Sequence, residues 1–357
     1  MSIAHALDRG AHLLDLATAG RDRIVSLLES ARSFDSGEGR PRDDASIRHR
    51  LAGRSVCNLF FEDSTRTRVS FSLAAGRLGA GVINLTTPGS SVTKGETVID
   101  TAGVVEATGG DLLIVRSSSA GAAEQIARHV GVPVVNAGDG AHEHPTQGLL
   151  DIYALATALG GDRAASWDLR GLRIAIVGDI VSSRVARSDI AGMTALGAEV
   201  VCVGPAPLAP PSLESLGCTV ATDLDRVLPE VDAVQMLRMQ YERHGGAGGA
   251  GDSGADRTPP GIGSAREYRA HYALTAERAR RMKPGAVVMH PGPINRGFEM
   301  DGSVADGLDA DHNRGPGGGR GRGPRSLVLR QVASGLLVRM AVLDALLAGG
   351  SGQPARA

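Results

Sequence analysis

The sequence predicts an α/β protein of two domains, each a parallel sheet flanked by helices, and three observations carry that prediction. The chain has 357 residues, more than one core comfortably organises. Short apolar runs recur along it, most followed by a glycine or polar turn and a helical pattern. Strands that alternate with helices imply crossover connections and parallel pairing. A helical stretch at 147–159 ends in a turn at 160–162, after which a second series of strands begins. The expected division is therefore 1–160, 161–325, and a C-terminal helical segment 326–357 that returns to the first domain.

In chain order, the first helix is predicted near 21–34, where Ile24, Leu27, Leu28 and Ala31 repeat at helical spacing. The runs SVCNLFF, GVINL, DLLIVR and VPVVNAG read as strands of the first domain. LRIAIVGD, AEVVCVG, AVQML and AVVMH read as strands of the second. A last helix at 331–347 is rich in Val, Leu, Met and Ala. Two glycine-rich segments, 245–263 and 315–324, cannot bury apolar surface and are expected to be mobile loops. No internal repeat of fixed period interrupts this order.

Composition narrows the function. Hydrophobic residues at 42% and charged residues at 22% are ordinary for a globular chain. The formal net charge of -1 provides no global field for nucleic acid or an anionic membrane, so anion binding must be local. Cys57, Cys202 and Cys218 form no disulfide framework, which suits a reducing, cytoplasmic compartment. Asp8, Arg9 and Asp15 interrupt the stretch where a signal peptide needs unbroken apolar residues. No run approaches the roughly 20 apolar residues of a membrane span. A cytoplasmic protein without a membrane partner is expected.

The most informative stretch is FFEDSTRTR at 60–68, where an apolar strand runs into Ser64, Thr65, Arg66, Thr67 and Arg68 before a helical pattern. A helix N-terminus with hydroxyls and guanidinium groups in its first turn can cradle a phosphate. A plain capped helix would need fewer such residues. Ser90 and Lys94 lie in a second polar loop, ahead of another helix. Arg116 follows the strand DLLIV, at the carboxyl end where open α/β sheets bind ligands. His142 and His144 could pair on a metal, but no third ligand at recognisable spacing joins them. No metal is therefore expected, and His144 and Gln147 are read as hydrogen-bonding groups, with Pro145 in the first helical turn. Gly178 ends LRIAIVGD without a G-x-G-x-x-G pattern, so no nicotinamide or flavin cofactor is expected. Arg184, Arg238 and Gln240 follow strands of the second half. The run His290-Pro291-Gly292-Pro293 makes a tight loop whose carbonyls can face a ligand. Any one of these features could be a surface arginine or a rigid turn; so many at strand and helix ends point to one site for anionic substrates.

These motifs, FxxxSTRTR, SxxxKGE, HPTQ and HPGPxNRG in that order, resemble the aspartate/ornithine carbamoyltransferase family over roughly 13–347. HPGP and Leu237-Arg238-Met239-Gln240 are similar to the forms of its aspartate branch. The resemblance implies attack of the L-aspartate amine on carbamoyl phosphate, an early step toward pyrimidines, and needs no cofactor. It also implies roles. Ser64, Thr65, Arg66 and Thr67 would grip the phosphate with Ser90 and Lys94. Thr67, Arg116 and His144 would polarise the carbonyl oxygen, and Gln147 would hold the carbamoyl NH₂. Arg184, Arg238 and Gln240 would bind the aspartate carboxylates, and the carbonyls of Gly292 and Pro293 would face the reacting groups. Partners implied are carbamoyl phosphate, L-aspartate and two further copies of the chain in a homotrimer. A larger assembly with regulatory or dihydroorotase chains is compatible with it. Rival readings are another acceptor such as ornithine, a non-catalytic scaffold, and RNA binding through the arginine–glycine segment 314–325. That segment lacks the aromatics that would stack bases, and no nucleic-acid partner is expected.

Overall fold

The computed structural model describes residues 11–86, 97–239, 262–308 and 324–348. The glycine-rich segments 245–263 and 315–324, apart from Ile262, Gly263 and Pro324, lie outside the described residues. The chain divides into two compact units, 1–153 with 332–357, and 154–331. Both divisions fall inside long helices, Pro145–Leu159 and Val328–Leu347.

In the first unit, four parallel strands stand in the order β2-β1-β3-β4. They are β1 (Ser55–Phe60), β2 (Gly81–Thr86), β3 (Leu112–Ser117) and β4 (Val134–Asp139). The helices are α1 (Gly20–Phe34), α2 (Ala45–Arg48), α3 (Thr65–Arg77), α4 (Val98–Ala107), α5 (Ala122–Ala127) and α6 (Pro145–Leu159). β3 and β4 are almost wholly buried, as continuous apolar runs in a parallel sheet must be. Leu59, Leu113, Val115, Ile126 and Val134 form part of one core cluster. The buried Asn58 of β1 donates its amide N–H groups to Asn84 Oδ1 at 2.8 Å and Ser72 Oγ at 3.2 Å, while its own Oδ1 accepts no hydrogen bond from the described residues.

In the second unit, six parallel strands stand in the order β10-β9-β8-β5-β6-β7. They are β5 (Arg173–Val177), β6 (Glu199–Val203), β7 (Thr219–Ala221), β8 (Ala233–Met236), β9 (Val287–Met289) and β10 (Arg325–Ser326). Its helices include α7 (Gly161–Ser166), α8 (Arg184–Ala195), α9 (Leu224–Val227), α10 (Ala265–Tyr272), α11 (Ala276–Ala279) and α12 (Gly302–Asp306). Ala175, Val177, Val201, Val234, Met236 and Val288 anchor its core. The C-terminal helix α13 (Val328–Leu347) contributes its first turn to this unit and the rest to the first.

Both sheets share one topological feature that places the chemistry. β1 is followed by β2 on one side and by β3 and β4 on the other; β5 is followed by β6 and β7 on one side and β8 to β10 on the other. Each sheet thus has a switch point, β1/β3 and β5/β8, where consecutive connections leave in opposite directions. The carboxyl ends beside such a point open a crevice for ligands.

Candidate active site

The first switch point lies between the exits of β1 and β3, which carry Ser64 to Thr67 and Arg116. Ser64 caps α3 from an extended backbone (φ -160°, ψ 95°), and its hydroxyl makes no capping bond to the helix. The first-turn N–H groups therefore have no Ser64 hydroxyl on them, and Thr65 and Arg66 stand exposed in that same turn while Thr67 is buried. Beside them Arg116 pairs in register with Phe60, and its carbonyl accepts from the Phe61 N–H at 2.8 Å. The Arg116 side chain is only 12% exposed. Its Nη1 donates to the Ala137 carbonyl at 2.9 Å and its Nη2 to Glu62 Oε1 at 3.2 Å. The pairing of β3 with β4 shifts register between Val115 and Ser117, opposite Gly138, which adopts φ 112°. Such an irregularity re-aims a side chain, and only glycine takes this φ without strain.

His144 is held by the loop that leaves β4. Asn136 Nδ2 donates to Asp139 Oδ1 at 2.7 Å, to the Leu14 carbonyl at 2.9 Å and to the Glu143 carbonyl at 3.2 Å. Asp139 accepts from the Gly121 N–H at 2.7 Å and the Glu143 N–H at 3.2 Å. The Glu143 carboxylate accepts from the Leu16 N–H at 2.8 Å. Asn136, Asp139 and Glu143 are all buried, so the loop is fixed from several sides. It delivers the buried His144 to the N-terminus of α6, whose first residue is Pro145 and whose Gln147 N–H bonds the His144 carbonyl at 2.8 Å. His142 faces Asp139 at 3.1 Å, and that hydrogen bond raises its pKa above the ordinary value of 6.5. Among the described residues no group of three or more His, Cys, Asp or Glu side chains could hold a metal.

In the second unit, β5, β8 and β9 are adjacent and end on the same side. Gly178 leaves β5 with φ 134°; a Cβ there would press on Leu237 Cβ at 3.1 Å, so glycine lets the β5 and β8 exits approach. Arg184 then opens α8 and is 3% exposed, behind the N-cap Ser183, which accepts from the Ala186 N–H at 3.1 Å. Arg238, half-buried, follows β8. After β9, His290 Nδ1 accepts from the Gly292 N–H at 2.7 Å, so the ring proton sits on Nε2 and is donated to Glu299 Oε1 at 3.2 Å. Glu299 Oε1 also accepts from the Asn295 N–H at 2.6 Å. This buried pair ties both ends of the loop that carries Gly292 and Pro293.

Ser64, Thr65, Arg66, Thr67, Arg116, His144 and Gln147 thus lie in the first unit, at the exits of β1, β3 and β4. Arg184, Arg238, Gly292 and Pro293 lie in the second, at the exits of β5, β8 and β9. Ser90, Lys94 and Gln240 lie outside the described residues. Sequence reasoning missed the supporting polar groups Asn136, Asp139, Glu143 and Glu299. It also missed Asp151, whose Oδ1 accepts from Gln147 Nε2 at 3.0 Å; its place four residues after Gln147, on the same helix face, is a local signal that could have found it.

Family models match the chain twice. Residues 11–157 fit the carbamoyl-P binding domain of aspartate/ornithine carbamoyltransferase, and residues 170–312 fit its Asp/Orn binding domain. The chain is 46% identical over 333 residues to a Myxococcus xanthus protein named aspartate carbamoyltransferase catalytic subunit, covering 93% of this chain and 98% of that one. Among solved structures it resembles Trypanosoma cruzi aspartate transcarbamoylase in complex with N-(phosphonacetyl)-L-aspartic acid. The TM-score is 0.74 and the identity 30%, over 94% of this chain and 95% of that one. It also resembles the catalytic subunit of M. jannaschii aspartate transcarbamoylase, with a TM-score of 0.73 and 28% identity over 96% and 100% of the two chains.

Proposed function

Because the chain belongs to the aspartate/ornithine carbamoyltransferase family, we propose that it moves the carbamoyl group of carbamoyl phosphate onto the amine of L-aspartate, giving N-carbamoyl-L-aspartate and phosphate. The observation that carries the acceptor is the likeness, over nearly the whole chain, to proteins named as aspartate carbamoyltransferase catalytic subunits. The deciding experiment is phosphate release from carbamoyl phosphate with aspartate or ornithine as acceptor. Faster release with ornithine would overturn the assignment.

The chemistry fits the residues. A phosphate dianion and two carboxylates must be brought together, which demands concentrated positive charge. Arg66, Lys94 and Arg116 serve the phosphate and carbonyl; Arg184 and Arg238 clamp the carboxylates, where planar guanidinium groups orient a substrate as lysine does not. The amine nitrogen bonds to the carbamoyl carbon, the carbonyl oxygen becomes an oxyanion facing Thr67, Arg116 and His144, and the C–O bond to phosphate then breaks. The departing phosphate takes the amine proton, so His144 acts as hydrogen-bond donor rather than base. The acyl donor is already activated, and orientation with charge stabilisation supplies most of the rate.

On the same reading the active unit is a homotrimer in the cytoplasm, with the loop containing Ser90 and Lys94 completing a neighbour's site. The first unit leaves Val69, Leu73, Ile83 and Val104 exposed, apolar side chains suited to such an interface. Mixing inactive Arg66→Ala chains with inactive Lys94→Ala chains should restore activity; continued inactivity would refute shared sites.

A further inference from the structure

Behind Gln147 lies a carboxylate that the reaction as described does not use. Asp151 sits one turn along α6, fully buried, between Leu150 and Ile152, which are buried as well. Its Oδ1 accepts from Gln147 Nε2 at 3.0 Å. A carboxylate is costly to bury, and a helix face this apolar would accept leucine more readily. Arg339 of α13 is near enough to act on it electrostatically. The Arg339 guanidinium is also buried, lies 5.1 Å from the centroid of Phe71, and donates to Ser70 Oγ at 2.9 Å and to the Gly335 carbonyl at 3.2 Å. Burial pushes its pKa down to about 10, with Asp151 opposing the fall and Arg66 adding to it, so it stays charged near neutrality. A Cβ at Gly335 would come within 2.6 Å of Arg339 Nη1, so a glycine in mid-helix leaves the guanidinium its room.

We propose that Asp151, backed by Arg339, is a positioning residue that fixes the orientation of the Gln147 amide and thereby makes the site selective for an amino group on the acyl donor. An ionised carboxylate only accepts hydrogen bonds, so only the NH₂ end of Gln147 can face it. The Gln147 oxygen is left pointing away from Asp151 as an acceptor for a donor's N–H. The inference rests on the assignment of Gln147 to the carbamoyl NH₂ group. It adds that the acceptor character of Gln147 is imposed from behind, by a group that never meets the substrate.

Acetyl phosphate is the probe, because its methyl group replaces the amino group at nearly equal size and uses every other contact. The readout is the ratio of acetyl phosphate Ki to carbamoyl phosphate KM, measured on the whole enzyme with aspartate as acceptor. In Asp151→Asn the new amide can donate to Gln147 and turn its NH₂ toward the substrate. Carbamoyl phosphate KM should then rise roughly 10-fold, while acetyl phosphate Ki moves by less than about 2-fold. In a Gln147→Leu background the same substitution should leave the ratio unchanged. Asp151→Glu keeps an acceptor but displaces it, and should move the ratio in the same direction by a smaller factor; it carries the test if Asp151→Asn does not fold. Equal losses for both ligands would mean a merely structural role and overturn the proposal, as would an unchanged ratio in Asp151→Asn when Gln147→Leu does alter it. If Gln147→Leu itself leaves the ratio unchanged, the assignment of Gln147 fails, and the proposal with it.

Discussion

Replacing Arg116 by alanine tests the catalytic reading most directly. The side chain is fixed before any substrate arrives: its backbone is in the β1/β3 ladder, one nitrogen is tied to the Ala137 carbonyl, and another to Glu62. A donor fixed in this way needs no reorganisation as the oxyanion forms, and loss of one such donor costs ~10²–10³ in rate, or about 3–4 kcal/mol. The loss of the Glu62 ion pair adds little, because Glu62 is 26% exposed and can be rehydrated. Arg116→Lys keeps the charge but offers one nitrogen where the arginine offers several, so an intermediate loss of roughly 10-fold is expected. The assay is steady-state phosphate release with carbamoyl phosphate and aspartate each varied. A fall in kcat confined to less than about 3-fold in Arg116→Ala, or a change in KM alone, would refute the oxyanion role.

Further outcomes follow from other positions. Arg184→Lys should raise the KM for aspartate by roughly 10-fold or more while leaving that for carbamoyl phosphate nearly unchanged, because a bidentate clamp on a carboxylate is lost and the proposed phosphate grip is untouched; parallel changes in both would count against it. His144→Gln, which keeps a donor, should retain substantial activity where His144→Ala does not; equal losses would instead favour a base. Gly79→Ala should destabilise the first unit by about 2 kcal/mol or more in urea unfolding. Gly79 has φ 84°, and a Cβ there would collide with the Arg48 carbonyl oxygen; a cost below about 0.5 kcal/mol would contradict this packing. His142 has its pKa raised chiefly by the hydrogen bond to Asp139. Its protonated form is therefore favoured by folding, so its contribution is fully present below pH 6.5 and is lost as the pH climbs through the folded value. The melting temperatures of wild type and His142→Gln should converge on going from pH 6 to pH 9, and an imidazole titrating at or below 6.5 by NMR would reverse the sign.

Much of the fold was legible because a parallel sheet writes its strands as continuous apolar runs. Every run named from the sequence became a strand, from SVCNLFF to AVVMH. The two strands that went unseen, Thr219–Ala221 and Arg325–Ser326, have three and two residues and carry polar side chains, too little for any periodicity to register. Helix starts slipped by a few residues: Pro145 begins α6 two residues before the predicted start, and Val328 begins α13 three before. The local motifs at Ser64, His144 and Pro293 were visible because their chemistry sits in consecutive residues. The groups that fix them were not. Glu143 holds Leu16 across 127 positions, and Arg339 holds Ser70 across 269. No window along the sequence joins such pairs.

What turns an arginine after a strand into a site residue is strand order, which local pattern does not reveal. Arg116 and Arg173 illustrate the difference. Arg173 begins β5 at the amino end of the sheet and is engaged by Glu230 at the surface. Arg116 ends β3 beside β1, at the one place in its sheet where neighbouring connections part. At the switch point the connections diverge, and the crevice this opens at the carboxyl ends is where a charged side chain can face a ligand. The same logic selects Arg184 and Arg238, which follow β5 and β8, the pair that flanks the second switch point. Arginines scattered over strand ends at random would not fall on both flanks of the one divergent gap in each sheet; here they do, and that coincidence ties the chemistry to the topology.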